Sequence, residues 1–393
     1  MTKKTFLDLG KQPIANKFTK SKEEEEYLFD LKVVFDEETK LVSLEKFVDL
    51  EMMFNDEYVY LSSASKTMRE HFKNTAENIK KNFQTDKVLE IGSNDGVFLK
   101  NFTTTQAMSV EPCTNFGDIT RKLGYKTYDN FWNKDLVEEM KSNNEKFDLI
   151  FSANCMCHIP EIEDAFRNIS EVLESEGVFI FEDPSLLQMI KRNSYDQIYD
   201  EHAHIFSVTS LSKILEKAGL EIFKVEDIEI HGGSNRIYAK KKESQREIEP
   251  SVEKAFLDED YENLNDFATY VAFAKRVKKS KDDLLKVLKT FKDQGKKIIS
   301  YGATSKSTTV FNYCNINENL IEYIVDNTPD KQGKYAPGSK IPVVSDTEGF
   351  DKSVDVAFLG AWNFKDEIVK KEKDFLSRGG VFITHVPFVS EVK

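Results

Sequence analysis

Short apolar runs separated by amphipathic stretches organise the middle of this chain. Strand-like runs fall at 87–91, 107–111, 147–153 and 178–182, with helix-like patterns between them. Alternation of this kind predicts a doubly wound parallel sheet. Upstream, Leu28 to Phe35 and Leu41 to Leu44 read as a hairpin across Asp36-Glu-Glu-Thr-Lys40, and a helix is expected from Met68 to Phe83. The rest of 1–75 reads as charged and irregular, with Ser21-Lys-Glu-Glu-Glu-Glu26 as a solvated turn. The stretch 183–210 breaks the strand–helix rhythm and predicts a loop or helix over a ligand pocket. A helix at 210–218 stops at Gly219, strands follow near 221–226 and 235–240, and Lys240 to Glu249 reads as a linker. Long charged helices are expected over 252–293, and a second α/β unit begins at Lys296.

The strand–turn–helix junction Lys87-Val-Leu-Glu-Ile-Gly-Ser-Asn-Asp-Gly-Val-Phe-Leu-Lys100 carries the clearest chemistry. Val88, Leu89 and Ile91 form the strand, and Val97 to Phe102 read as the first turn of a helix. Gly92 and Gly96 let the backbone turn sharply and approach a ligand. A dinucleotide site would place Gly-x-Gly-x-x-Gly here, whereas this chain has Glu90-x-Gly92-x-x-x-Gly96. An acid at the strand end repels phosphate and suits a cationic amino acid, as in S-adenosylmethionine. The next strand ends in Glu111, about 20 residues after Gly92, where a carboxylate takes ribose hydroxyls in this architecture. A glycine turn in a generic α/β protein is the plainer reading. A second junction, Lys297-Ile-Ile-Ser-Tyr-Gly-Ala-Thr-Ser-Lys-Ser307, lacks the acid and carries Lys306, so it suits an anion or serves as an unliganded half.

Composition narrows the class. The 393 residues suffice for two or three domains. A net charge of −13 argues against a general nucleic-acid binder, which needs a basic face. No apolar run is long enough to span a bilayer, and Met-Thr-Lys-Lys lacks a leader's apolar core, so a cytoplasmic protein is expected. Cys113, Cys155, Cys157 and Cys314 form no Cys-x-x-Cys pair and read as structural thiols.

Two polar clusters are candidates for catalysis. Tyr195-Asp-Gln-Ile-Tyr-Asp-Glu-His-Ala-His-Ile-Phe-Ser207 holds two of the six histidines, and histidine is the default general base near neutrality. As sequence neighbours, Glu201 and His202 need not form a dyad. A zinc site from His202, His204 and an acid is a weaker reading, and a polar surface segment is the plain one. His231-Gly-Gly-Ser-Asn-Arg236 offers groups for a sugar or diphosphate, or simply a hairpin turn.

Taken in order, several segments resemble the nucleotide-sugar C-methyltransferases over nearly the whole chain. They include Asp8-Leu-Gly-Lys-Gln-Pro-Ile-Ala-Asn16, Tyr58-Val-Tyr-Leu-Ser-Ser63, Glu90-Ile-Gly-Ser-Asn-Asp-Gly96, Tyr195 to His202 and His231 to Arg236. Tyr301-Gly-Ala-Thr-Ser-Lys306, Asp326-Asn-Thr-Pro-Asp-Lys-Gln-Gly333 and Ala361-Trp-Asn-Phe-Lys-Asp-Glu-Ile368 continue the series. The resemblance implies an α/β protein: a class I methyltransferase Rossmann-like domain between a small N-terminal domain and a second Rossmann-like C-terminal domain. Boundaries are expected at 1–75 (substrate side), 76–245 (cofactor) and 246–393 (nucleotide sugar). It implies S-adenosylmethionine as cofactor and methylation of a nucleotide-linked 4-keto-6-deoxysugar, at C3, through an enolate.

The family's Tyr-x-Glu-His element falls on Tyr199, Glu201 and His202, with His202 as base, Glu201 supporting it, and Tyr199 or Tyr60 donating to the enolate oxygen. His204 is a second candidate for the base. Gly92, Ser93, Asn94, Gly96 and Pro112 would form the cofactor turn, with Glu90 and Asp95 near the methionine amine and Glu111 on the ribose. Phe131 and Asn154 would wall the cofactor. Tyr58, His204, His231, Gly232, Ser234, Arg236, Tyr301 and Lys306 would hold the sugar nucleotide.

Two departures stand out. The family's N-terminal domain binds zinc through two Cys-x-x-Cys pairs, but here Thr2-Lys-Lys-Thr5 and Asp36 with Thr39 stand at those places, so a zinc-free domain and no metal are expected. The usual His-Glu-His reads Asp200-Glu-His202. Partners are expected to be the small-molecule substrate alone, with no nucleic acid or membrane, in a monomer or weak homodimer. An O-methyltransferase on a sugar hydroxyl, a nucleotide-sugar-binding or epimerising protein, and a nicotinamide-dependent oxidoreductase are the alternatives.

Overall fold

A computed structural model describes residues 3–393. The parts of the leader and first zinc-pair readings that rest on Met1 and Thr2 lie outside these residues. Three sheets carry the fold. The first is antiparallel, in the order Lys3–Pro13, Leu28–Asp36, Val42–Leu44, His204–Ile205. The second has seven strands, in the order Leu220–Ile228, Ser234–Lys241, Leu173–Pro184, Phe147–Ala153, Val88–Ile91, Ala107–Val110, Lys126–Tyr128. The third has six, in the order Val343–Val344, Ile324–Val325, Ile298–Tyr301, Val356–Leu359, Val381–Thr384, Ser390–Val392.

Both α/β sheets wind outward in two directions from one central strand. Val88–Ile91 pairs in parallel with Ala107–Val110 on one side and Phe147–Ala153 on the other. Ile298–Tyr301 sits likewise between Ile324–Val325 and Val356–Leu359. At such a reversal the flanking loops part beyond the strand ends and leave a crevice for ligand. Each glycine turn sits at one of these crevices. Fully buried central strands explain why their runs are continuously apolar: Val88, Leu89, Leu149, Ile150, Phe151, Ile298 and Ile299 have no exposed surface.

The sequence pattern missed Lys3–Pro13, a strand placed in the segment read as irregular. Two register shifts, between Thr5 and Leu7 and between Asp8 and Lys11, break the two-residue alternation that would reveal it. The helix expected from Val97 shrinks to a single tight turn, Leu99–Asn101. Asn101 donates to the Val97 and Phe98 carbonyls and the β-branched Thr103-Thr-Thr105 follows, so the chain turns off.

The stretch 183–210 is more than a cover. It forms a helix at Leu186–Arg192, which ends in left-handed Asn193. A tight turn follows at Tyr195–Gln197, and then the short strand His204–Ile205, which pairs with Val42–Ser43 of the first sheet. The long helix Phe267–Asp293 also reaches that sheet, stacking Tyr270 on Phe35 with ring centroids 4.5 Å apart.

The first sheet is stabilised by packing. Leu9, Leu31, Val33, Phe35, Val42 and Leu44 are buried in one cluster that also takes in Tyr270 and Phe273. Residues 3–54 contain no cysteine and no histidine. At the place of the second zinc pair, the Asp36 carboxylate accepts the Glu38 and Thr39 amides at 2.8 and 3.2 Å, closing the turn itself. The tetrahedral thiolate–imidazole set of a structural zinc site has no donors here. Thermal unfolding should therefore be unchanged by a strong chelator; a lowered melting temperature after chelation would show a metal requirement.

Candidate functional site

One cavity of about 580 Å³ lies where the three units meet and is lined by residues of all three sheets' loops. Its first end is the Gly92 turn. Gly92 has φ +73° and its amide donates to the Val110 carbonyl at 2.9 Å. A side chain at Gly92 would collide with the Cys155 thiol, so the close packing admits only glycine. Glu111 is buried at the tip of the next strand and accepts the Asn94 and Cys113 amides at 2.7 and 3.0 Å. Burial raises its pKa, an effect those amides offset in part. Gly92, Asn94, Glu111, Pro112, Phe131 and Asn154 all line the cavity. A bare glycine turn, a carboxylate at the second strand end and an apolar wall suit the cationic amino acid, ribose and base of S-adenosylmethionine.

Four residues assigned to that turn stand behind the wall. Ser93 shares its hydroxyl with Ser109 at 2.5 Å, and Gly96 packs on Thr120. Asp95 accepts the Ser63 amide at 3.3 Å. Glu90 is buried with one carboxylate oxygen unpartnered; desolvation, with Asp95 and Glu111 nearby, pushes its pKa well above the usual range. Asn94 reaches the same strap as Asp95, accepting from the Ser62 amide and donating to the Tyr60 carbonyl. The turn thus holds down the segment that carries Tyr60.

The other end is built on the Tyr195–His204 segment. His202 is buried and directs Nδ1 at the Gln197 carbonyl, 2.6 Å away, which places the proton on Nδ1. Its Nε2 is then a lone-pair acceptor, and the Tyr199 hydroxyl donates to it at 2.8 Å. Desolvation drives the His202 pKa well below 6.5, and the neighbouring His158, Lys306 and His231 add to the effect. Glu201 does not touch His202. It accepts Asn16 Nδ2 at 2.5 Å and the Tyr58 hydroxyl at 3.0 Å. The Gln197 carbonyl orients the imidazole in its place, because adjacent side chains diverge from the backbone. Tyr60 also lines the cavity and is 37% exposed; desolvation by its surroundings, with Asp95 and Glu201 nearby, raises its pKa to about 12, so it remains a neutral donor.

The substrate-side assignments divide. Tyr58, His231, Tyr301 and Lys306 line the cavity. Gly232 instead abuts the Trp362 indole, and Ser234 donates its hydroxyl to the Ile230 carbonyl. His204 is engaged by Ser43 and the Pro160 carbonyl, in the first sheet, so it is not brought together with His202. Arg236 is committed to Glu182 at 2.7 Å, Glu226 at 3.0 Å and Thr75 at 2.6 Å, and it does not reach the cavity.

Sequence reasoning missed His158 and Asn16. His158 lines the cavity with its ring stacked 5.5 Å from that of His202. Its neighbours Cys155 and Cys157 had been read only as buried thiols, which hid the histidine beside them. Cys157, His158 and His202 present donor atoms within 4.8 Å of one another, but both His202 nitrogens are already engaged.

Three family descriptions match successive segments: "Putative zinc binding domain" over 1–54, "Methyltransferase domain" over 63–225 and "C-methyltransferase C-terminal domain" over 229–387. C-methyltransferase NovU of Streptomyces niveus is 28% identical over 388 residues, spanning 97% of this chain and 92% of that protein. An S-adenosylmethionine-dependent methyltransferase structure from Clostridium acetobutylicum is 15% identical, covering 45% of this chain and 93% of that one, with a TM-score of 0.33. Magnesium protoporphyrin IX methyltransferase of Synechocystis with bound S-adenosylhomocysteine is 12% identical, covering 46% and 89%, with a TM-score of 0.34.

Replacing Arg236 tests its place in the interior. Arg236→Met leaves buried Glu182 with His71 as its remaining side-chain partner and should cost about 3 kcal/mol in urea unfolding, since breaking a buried pair removes most of the compensation for its charge. Cofactor affinity of the folded protein should be retained. A raised KM with intact stability would instead place Arg236 on the substrate.

Proposed function

Because this chain belongs to the S-adenosylmethionine-dependent C-methyltransferases, we propose that it methylates a carbon beside the ketone of a nucleotide-linked 4-keto-6-deoxysugar, at C3. The observation that carries the reading is the neutral His202 imidazole. It is held by the Gln197 carbonyl and faces the same cavity as the Gly92 turn.

A ketone acidifies the adjacent C–H. His202 Nε2, released from the Tyr199 hydroxyl as the acceptor enters, takes that proton, the C–H electron pair becomes the new C=C bond, and the carbonyl π pair moves to oxygen. Tyr199 or Tyr60 donates to the developing enolate oxygen, a stabilisation of about 3 kcal/mol for a well-placed donor. Glu201 acts at one remove, fixing Asn16 and Tyr58 around the acceptor. When bound, S-adenosylmethionine supplies an electrophilic methyl group. The chain's part is to hold the acceptor carbon toward the Gly92 end and to keep water out. Asn94 and Glu111 hold the cofactor, while His231 and Tyr301 hold the sugar nucleotide. Domain limits at 1–75, 76–245 and 246–393 fit this division of labour. The protein acts as a monomer or weak homodimer in the cytoplasm, without zinc.

Calorimetric titration with S-adenosylmethionine and with its demethylated product tests the cofactor assignment. Micromolar binding lost in Glu111→Ala is the expected result; no binding by the wild-type protein overturns the reading. His202→Ala should keep cofactor affinity and lose at least about 10²-fold in turnover, the contribution of a general base. The depressed His202 pKa also fixes a pH profile. Lowering it keeps Nε2 unprotonated as pH falls, so kcat/KM should hold its plateau through about pH 6.5, the ordinary histidine value. An acid limb centred on that value would remove His202 from the role of base.

A further inference from the structure

The cavity contains one cation whose partners do not account for it. Lys306 lies in the first turn of the helix Ser305–Cys314, which Thr304 and Ser307 close with a reciprocal cap. Three residues on, on the same helix face, Thr309 donates to the Ile198 carbonyl at 3.0 Å, and Thr308 donates to the Ala15 carbonyl at 3.1 Å. Side chains on a helix lean toward its N-terminus. Lys306 is therefore carried alongside Ile198 and Tyr199, at the end of the cavity that holds the base.

The electrostatics agree with that placement. The Lys306 charge bears on Asp196, Glu201, His202 and His231, which come from two separate segments. Desolvation lowers its own pKa, against the pull of Asp196 and Glu201. Glu201 is already engaged by Asn16 and Tyr58, and Asp196 gives one carboxylate oxygen to Trp362 and His385 while its other oxygen stays unpartnered and makes no ion pair with Lys306. The nearby Lys331 is tied to the Ala303 carbonyl at 2.8 Å. Among the described residues Lys306 has neither an ion pair nor a hydrogen bond, although it lines the cavity.

We propose that Lys306 is a catalytic residue whose ammonium contacts the acceptor's ketone oxygen and stabilises the enolate, rather than a clamp for the diphosphate. The proposal rests on the keto-sugar reading above. As His202 removes the α-proton, the carbonyl π pair collects on oxygen and negative charge develops opposite a desolvated cation. The ammonium keeps its protons throughout, and no covalent bond forms to nitrogen. Charge that appears only during enolisation is stabilised more than the neutral ketone, so the effect falls on kcat rather than on binding.

The test separates enolisation from methyl transfer. Wild-type protein, Lys306→Met and Lys306→Arg are incubated in deuterium oxide with a thymidine-diphosphate-linked 4-keto-6-deoxyhexose and no S-adenosylmethionine. Deuterium uptake at the carbon beside the ketone is followed by NMR, and calorimetric cofactor binding checks that each variant is folded. Lys306→Met should slow exchange by about 10²–10³-fold, the loss seen on removing one oxyanion donor. The KM for the sugar nucleotide should stay within a few-fold, and Lys306→Arg should recover part of the rate. A raised KM with undiminished exchange at saturation would assign Lys306 to the diphosphate and overturn the proposal. Absence of exchange by a wild-type protein that binds cofactor would overturn the keto-sugar reading itself, and this role with it.

Discussion

A polar segment taken out of water is destabilised by each buried group that finds no hydrogen-bond partner. Tyr195–His204 is such a segment, and its own helix or sheet supplies few of those partners. Asp196 is held by Trp362 and His385 from the third sheet's loops, and the Ile198 carbonyl by Thr309. On the other side, Ala15 donates its amide to Asp200 at 3.0 Å, Asn16 and Tyr58 grip Glu201, and Ser43 reaches His204. These contacts hold the Gln197 carbonyl where it fixes the His202 tautomer, while Asp196 Oδ1, Gln197 Oε1 and Asp200 Oδ2 stay buried without a partner. The orientation of His202 is thus a consequence of how the units hold one buried loop.

The two glycine turns show how similar backbones acquire different ligand preferences. Each has an acid at the tip of the neighbouring strand, and each acid caps its own turn: Glu111 accepts the Asn94 amide, and Asp326 accepts the Ala303 amide at 2.7 Å. The difference lies in what stands beside the turn. Acidic side chains, Glu90 and Asp95, stand behind the first, whereas Lys306 and Lys331 line the cavity beside the second. Both turns border one cavity, so acids behind one end and lysines at the other give its two ends different electrostatic character.

Much of this was readable from residues alone, because the relevant signals are local. The Val88 and Ile298 strands, their turns and the acid at Glu111 depend on spacing within one strand–turn–helix unit. The Leu28–Leu44 hairpin followed from alternation around a polar turn. What stayed hidden depends on chain distance. Asn16 meets Glu201 across 185 residues, and Thr309 meets Ile198 across 111. Arg236 looked like an anion ligand because its motif is polar and flexible, yet its strand neighbours Glu182 and Glu226 claim it in the interior. His158 was obscured by the buried thiols beside it. The strand at Lys3–Pro13 escaped because its bulges erase the alternation that defines a strand in sequence.

The wide separation of the groups that complete the cavity bears on the order in which the protein is made. Translation delivers Asn16, Tyr58, the Gly92 turn and His202 well before Lys306, Thr309 and Trp362 leave the ribosome. A nascent chain extended to about residue 300 can already shape the Gly92 crevice. It still lacks the partners of Asp196 and Ile198, so its histidine loop has no fixed form. The complete cavity is consequently assembled only once the last third of the chain is present, whatever the earlier segments have already built.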